Sequence, residues 1–407
     1  MIVRQHVVAT MRDGTRLSAD VYRPESEGRC VTILVRTCYT KWLGDFPKHA
    51  AFWTSNGFAY VVQDVRGRGD SDGQFYPFAH EREDGSDSID WIVAQPWSDG
   101  RVVMLGGSYL ALTQLYAAGS LNRHLVAIVP MSAPSDPDRG FPTCNGMVLP
   151  SAALWLATLN GNTNQDLSTI DVAGIFAHWP VISLDTAMGR RLEAWREWIE
   201  RLGDEPYWEG LSYQRRLGES SQDMLHITGW YDDCLQGSLE NFSTLSTRQK
   251  LLGDEAPSQA LIVGPWTHTG MGERRIGDLD FGANAEVDFN QVRLSWLSAR
   301  LRKEPSDRPP VRLFVMGRNA WLEGHTWPLA ETQYLKFFLH SAGRANTRLG
   351  DGALSMRSPG DEPPDSFDFD PTTPVPYSPS LEWRQVGGAD ECGTLEMRDD
   401  VLVYSTA

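Results

Sequence analysis

Cysteine is sparse in this sequence, and its few occurrences form no pattern. Cys30, Cys38, Cys144, Cys234 and Cys392 are odd in number, widely spaced and without a Cys-x-x-Cys pair. That argues against a disulfide framework or a metal site and fits reduced thiols in the cytoplasm. No His-Glu-x-x-His motif and no glycine-rich phosphate loop of the Walker type is present, so neither common metallohydrolase nor nucleotide chemistry is indicated. No apolar run approaches the roughly 18 to 20 residues of a membrane span. The opening Met1-Ile2-Val3-Arg4-Gln5-His6 meets Arg12 and Asp13 before any apolar core of a secretory signal. Positive charge is also in short supply. Lys and Arg total 37 against 53 Asp and Glu, a net charge of -16 with no basic cluster. Nucleic acid and anionic membrane are therefore poor partners, and the acidity reads as solubility. With 407 residues, the chain has room for two or three domains at roughly 150 residues each.

What is present is an alternation of buried strands and helices. Asp13-Gly14 turns a hairpin between Gln5–Met11 and Thr15–Tyr22. Apolar runs at 31–36, 58–64, 102–105 and 126–130 read as buried strands, with helical patterns near 47–55 and 83–95 between them. Such alternation predicts a doubly wound, mostly parallel α/β sheet, whose ligands sit at the carboxyl ends of its strands. From 141 to 221 the strand signal gives way to Trp, Leu, Ala and Arg, including Trp155, Trp179, Trp195, Trp198 and Trp208. This segment is expected to be a helical insertion over the sheet. Strands return at 224–228, 260–263 and 311–316. Past Trp327-Pro328 the texture becomes short alternating segments, such as 333–339, among Gly/Pro/Asp/Ser turns. A proline-rich stretch at 359–379 and a strand-like Val401–Tyr404 follow. The expected organisation is a discontinuous α/β domain at 1–140 and 222–328, a helical insertion at 141–221 and a C-terminal β domain at 329–407.

The most informative stretch is Gly106-Gly107-Ser108-Tyr109-Leu110-Ala111, with Val102–Leu105 leading in and a helix-forming run leading out. Strand, small residues, serine and helix make the layout of a nucleophile elbow, although the usual Gly-x-Ser-x-Gly has Leu110 at its fifth position. A glycine-containing strand-to-helix turn with no chemistry reads equally well from this pattern alone. A serine hydroxyl needs a base and an orienting carboxylate, in the chain order Ser, Asp or Glu, His. Asp232 follows the strand 224–228, with Asp233 competing for the role, and His268 follows 260–263.

Taken together, several segments resemble the cocaine esterase-like α/β-hydrolases, the X-Pro dipeptidyl-peptidase (S15-type, CocE/NonD) family. They are Met11–Leu17 with Asp20–Pro24, Asp64–Gly69, Gln95–Val102, Gly106–Tyr109, Gly229–Asp232, Gly264–His268 and Val311–Gly317. The resemblance implies an α/β-hydrolase fold with a helical cap. It implies Ser108 as nucleophile, His268 as base and Asp232 as acid, with an oxyanion hole made by the Tyr39 phenol and the Tyr109 backbone N–H. No metal or organic cofactor is implied. By the same resemblance, the adhesion-like Arg68-Gly69-Asp70-Ser71 lies in a strand-end loop of the enzyme.

The chain departs from the family at three places. Ala111 stands where the family has glycine. Cys234, two residues after the acid, replaces both the aromatic acyl-pocket wall of cocaine esterase and the acidic grip of the α-amino-acid ester hydrolases. The family continues beyond Val401–Tyr404 into most of a jelly roll. A shortened C-terminal β domain is therefore expected: its end packs differently, another copy of the chain covers it, or the sequence is itself a shortened one. The cap tryptophans suggest an apolar pocket, with Trp155, Cys234 and Trp266 as candidate lining residues. The leading expectation is a serine hydrolase acting on a small-molecule ester through an acyl-enzyme. The alternatives are an amide hydrolase of the dipeptidyl-peptidase or β-lactam acylase type, a biosynthetic acyltransferase, and a degraded hydrolase that only binds.

Overall fold

A computed structural model of the chain describes residues 1–144, 146–253, 256–305, 308–376 and 392–406. Ten strands form one sheet: β1 (Ile2–Thr10), β2 (Arg16–Arg23), β3 (Cys30–Thr37), β4 (Ala59–Asp64), β5 (Ser98–Gly107), β6 (Leu125–Met131), β7 (Asp223–Tyr231), β8 (Gln259–Thr267), β9 (Val311–Val315) and β10 (Ala320–Gly324). Their order is β1-β2-β4-β3-β5-β6-β7-β8-β9-β10. The run from β4 to β9 is parallel, while β1, β2 and β10 join antiparallel. This is the α/β-hydrolase fold. The Asp13-Gly14 hairpin holds Thr10 opposite Arg16.

The central strands are buried on both faces, which is why they read as unbroken apolar runs. Their side chains sort by period two. Leu34, Val61, Val102, Met104 and Ile128 join one core. Ile33, Val35, Val62, Val103, Leu105 and Val129 join the other. Helices α1 (Phe46–Ser55), α2 (Glu81–Val93) and α3 (Tyr109–Ala118) follow the early strands. Between β6 and β7 the chain is largely helical, including α4 (Pro150–Thr158) and α5 (Glu193–Glu200). Trp195 and Trp198 are fully buried there. Two longer helices, α6 (Leu235–Leu252) and α7 (Phe289–Leu301), return the chain after β7 and β8. Among the described residues no helix is long and apolar enough to cross a membrane.

Buried Arg68 fastens the helical insertion to the sheet. Its guanidinium donates to the carbonyls of Cys38, Leu159 and Gly161 and to Asn164 Oδ1, and the Gly69 N–H donates to the Asn162 carbonyl at 2.7 Å. An arginine held in this way cannot present the adhesion-like tetrapeptide to a partner.

The C-terminal region differs from the strand expectation. Of the predicted 333–339 strand region only 338 and 339 are extended and paired, within Phe338–His340 against Ala353–Ser355. Tyr334, Leu335 and Phe337 are exposed and, among the described residues, have no strand beside them. Val401–Tyr404 contributes isolated bridges, Asn346 with Leu402 and Ala353 with nearby Ser405, in place of a strand. The end of the proline-rich stretch, 377–379, lies outside the described residues.

Candidate active site

The elbow forms because β5 passes into α3 through a single residue. Ser108 caps α3 at φ 59° and ψ -125°, a conformation that costs a non-glycine residue on the order of 1–3 kcal/mol and persists only where its surroundings impose it. The Ser108 N–H donates to the Met131 carbonyl of β6 at 2.9 Å, and the Ser108 carbonyl accepts from Ala111 N at 2.9 Å. Gly106 has φ 147°, and a Cβ there would lie 2.5 Å from Leu110 Cβ. The glycine is thus required by Leu110 itself, the residue that breaks the usual pattern. Ala111 is fully buried and α3 still starts at Tyr109, so the extra methyl leaves the turn intact.

The two partners arrive from adjacent parallel strands. Asp232 directly follows β7 and His268 directly follows β8. His268 Nδ1 lies 2.9 Å from Asp232 Oδ1. Asp232 is itself fixed, accepting from Thr228 Oγ1 at 2.9 Å and from Cys234 N at 3.0 Å. Its side chain is fully buried, whereas the neighbouring Asp233 is 44% exposed and places Oδ1 3.1 Å from the same Nδ1. Both carboxylates weighed from the sequence therefore reach the imidazole. Burial alone would lower the His268 pKa; the partners around the ring, with the Asp232 and Asp233 carboxylates against Nδ1, outweigh burial and hold it well above the usual histidine value. Burial pushes the Cys234 thiol well up, with Asp233 adding to the effect, so the sulfur stays protonated at neutral pH.

Ser108, His268, Tyr39, Tyr109, Trp155, Asp233 and Cys234 all border one cavity of about 580 Å³. Tyr39 follows β3, and its phenol oxygen accepts from Trp155 Nε1 of α4 at 3.1 Å; Tyr39 and Ser108 border the same cavity. Burial, with Cys38 adding, raises the Tyr39 pKa far above 10, so the group is a donor at any physiological pH. Tyr109 sits at the first turn of α3, where a backbone N–H has no partner within the helix. Its own phenol donates to Glu81 Oε1 at 2.8 Å; Glu81 in turn holds buried Arg36 at 2.5 Å. Phe141, Leu112 and Pro134 complete an apolar wall, and Trp155 packs edge-on to Phe141 at 5.2 Å.

Of the three pocket candidates, Trp155 and Cys234 line the cavity and Trp266 does not. Trp266 is fully buried, packs on Phe289 and Trp321, and donates Nε1 to the Ala285 carbonyl at 2.9 Å. The β7–β8 register shifts between Gly264 and Thr267, and the indole lies over Gly264, where a Cβ would sit 2.4 Å from the ring. The Trp155–Tyr39 bond had no signal in the sequence, because the two residues are 116 positions apart.

Comparison with known proteins identifies the family of the chain. Residues 13–270 match the family profile described as X-Pro dipeptidyl-peptidase (S15 family). Residues 305–407 match the X-Pro dipeptidyl-peptidase C-terminal non-catalytic domain, a match that starts ahead of β9 and β10 although both strands pair into the central sheet. Cocaine esterase from Rhodococcus sp. (strain MB1 Bresler) is 33% identical over 434 aligned positions, covering 99% of this chain and 74% of the relative. Among solved structures, an aminopeptidase from a marine sediment archaeon, Thaumarchaeota archaeon, superposes with TM-score 0.80 at 22% identity, covering 99% of this chain and 71% of that one. An α-amino acid ester hydrolase superposes with TM-score 0.75 at 21% identity, covering 94% and 69%. These two share the fold. The sequence match over most of the chain, on a sheet that carries a strained serine, places the protein in the S15 family of α/β-hydrolases, and it is a serine hydrolase of the ester or peptide type.

Proposed function

We propose that the protein is a serine esterase working through an acyl-enzyme. Ser108 Oγ attacks the substrate carbonyl carbon while His268 Nε2 takes its proton, and Asp232 holds Nδ1–H so that the ring presents Nε2. The Tyr39 O–H and Tyr109 N–H donate to the oxyanion of the tetrahedral intermediate. Collapse expels the alcohol, which receives the proton from His268. Water, deprotonated by the same base, then releases the acid and restores Ser108.

The observation that carries this reading is the short His268–Asp232 contact at a cavity that Ser108, Tyr39 and His268 all border. An ester is favoured over an amide by the apolar wall of Phe141, Leu112 and Trp155, which suits an uncharged acyl or alkoxy group, and by the 33% identity to cocaine esterase. One observation supports amide cleavage as the second reading: half-exposed Asp233 borders the cavity and can receive a substrate ammonium group. The two are separated by kcat/KM on a matched aromatic ester, its amide and its α-amino analogue. The esterase reading expects the uncharged ester to be preferred and Ser108→Ala to abolish turnover. Preference for the amino-bearing amide would replace it with the peptidase reading.

A further inference from the structure

The mechanism needs one carboxylate on His268, yet the structure gathers more around that ring. Asp232, Asp233, Cys234 and His268 each offer a ligand atom, and these atoms all lie within 4.8 Å of one another. Three consecutive residues ahead of α6 meet a single histidine after β8. The contacts to His268 Nδ1 are 2.9 Å from Asp232 Oδ1 and 3.1 Å from Asp233 Oδ1. In tetrahedral zinc coordination, bonds of about 2.0–2.3 Å place ligand atoms roughly 3.3–3.6 Å apart. The two nitrogen–oxygen edges already present would open by only a few tenths of an ångström. Among the described residues the ion pairs of both carboxylates are with His268 alone, so no Lys or Arg neutralises the cluster.

We propose that Asp232, Asp233, Cys234 and His268 form a site for a thiophilic divalent cation of the Zn²⁺ class, and that filling it switches hydrolysis off. The thiol selects the metal, because Mg²⁺ and Ca²⁺ prefer all-oxygen sites whereas Zn²⁺ takes sulfur, nitrogen and oxygen together. Access is through the cavity, which Asp233, Cys234 and His268 border. Binding forms bonds from the metal to Nδ1, Sγ and carboxylate oxygens. The Cys234 thiol proton passes to water, as metal–thiolate formation requires. The single proton of the neutral imidazole moves from Nδ1 to Nε2. Nε2 is the nitrogen that must accept the Ser108 proton, so the metallated ring cannot serve as base. The inhibitory effect rests on the serine hydrolase reading; the binding does not.

The test uses the full chain freed of metal by a chelator. Co²⁺ is added in place of Zn²⁺, and the near-ultraviolet thiolate-to-cobalt charge-transfer band is read, with Mg²⁺ and Ca²⁺ as controls. Hydrolysis is then followed against free Zn²⁺, each variant being compared with its own metal-free rate. The site predicts a cobalt–thiolate band at one equivalent, no response to Mg²⁺ or Ca²⁺, and zinc inhibition that the chelator reverses. Cys234→Ser is expected to abolish the band. It should also weaken zinc binding by at least about tenfold, since loss of even an outer partner of a metal ligand typically costs 10- to 100-fold. Asp233→Asn, at an exposed side chain, supplies a second variant with the same expected direction if Cys234→Ser does not fold. Absence of the band, or zinc inhibition undiminished in both variants, overturns the site. If the metal-free protein hydrolyses no ester, the band still decides the binding question while the esterase reading falls.

Discussion

Replacing Tyr39 by Phe removes one hydroxyl from a buried position and probes the oxyanion hole directly. The phenol oxygen accepts from Trp155 Nε1 at 3.1 Å, so Trp155 occupies a lone pair and leaves the phenol proton free to turn toward Ser108 and the substrate oxygen. Loss of one preorganised donor of this kind costs about 10²–10³ in kcat, or about 2.7–4 kcal/mol. The effect should fall on kcat, with KM little changed, because the donor strengthens its bond only as the oxyanion forms. Phe also leaves Trp155 Nε1 without its acceptor, a penalty of about 1–3 kcal/mol on stability, so the melting temperature must be measured alongside. Trp155→Phe is the companion variant. It keeps the phenol but frees its rotation, and the loss of one ordinary hydrogen bond, about 1 kcal/mol, predicts a fall of roughly fivefold. Steady-state kinetics on an aryl ester reads both. A Tyr39→Phe enzyme that is folded and keeps kcat within about twofold of wild type would refute the assignment of Tyr39 as a donor.

Three other consequences follow from the same geometry. In chelator-treated protein, catalysis needs neutral imidazole. The raised His268 pKa therefore puts the acidic limb of the kcat/KM profile above the usual histidine value of about 6.5. Asp232, Asp233, Cys234, Tyr39 and Ser108 face the ring or share its cavity; removing one charge by Asp233→Asn should move that limb to lower pH, and a limb that stays put or moves up contradicts the two-carboxylate geometry. Gly237 in α6 lies against the loop after β6, and a Cβ there would sit 2.2 Å from Ser135 N and 2.4 Å from the Pro134 carbonyl carbon. Gly237→Ala should destabilise the fold by about 1–3 kcal/mol in a denaturant titration, and an unchanged midpoint would show that the helix can move away freely. Arg68→Lys replaces a planar fork by a point charge that cannot serve Cys38, Leu159, Gly161 and Asn164 together. Looser seating of the insertion should lower the melting temperature and raise KM, and wild-type values for both would remove Arg68 from the account.

The central strands were legible because parallel strands covered on both sides leave apolar runs with little else in them. Ser108, Asp232 and His268 were legible for a related reason: each comes just after such a run, where a doubly wound sheet presents its residues. Side-chain direction was not legible. Trp266 lies two residues before His268 in the same strand-end segment, but a register shift turns its indole into the core. Trp155 read as pocket lining, and its bond to Tyr39 depends on how the helical insertion settles over β3, which no local pattern encodes. The adjacency of Asp232 and Asp233 was visible; that both reach one nitrogen required the loop geometry. The alternation at 333–337 suggested a strand, but period-two apolarity without a partner strand gives no ladder, and among the described residues these positions have no pairing partner.

Covalent labelling with a fluorophosphonate, followed by peptide mass spectrometry, tests the central claim most directly. A strained serine activated by His268 should take up one phosphonyl group, located on the peptide carrying Ser108, with labelling lost in Ser108→Ala and strongly slowed when His268 is replaced. Labelling that is absent from wild type, equal in Ser108→Ala or located on another residue would contradict the assignment of Ser108 as the nucleophile.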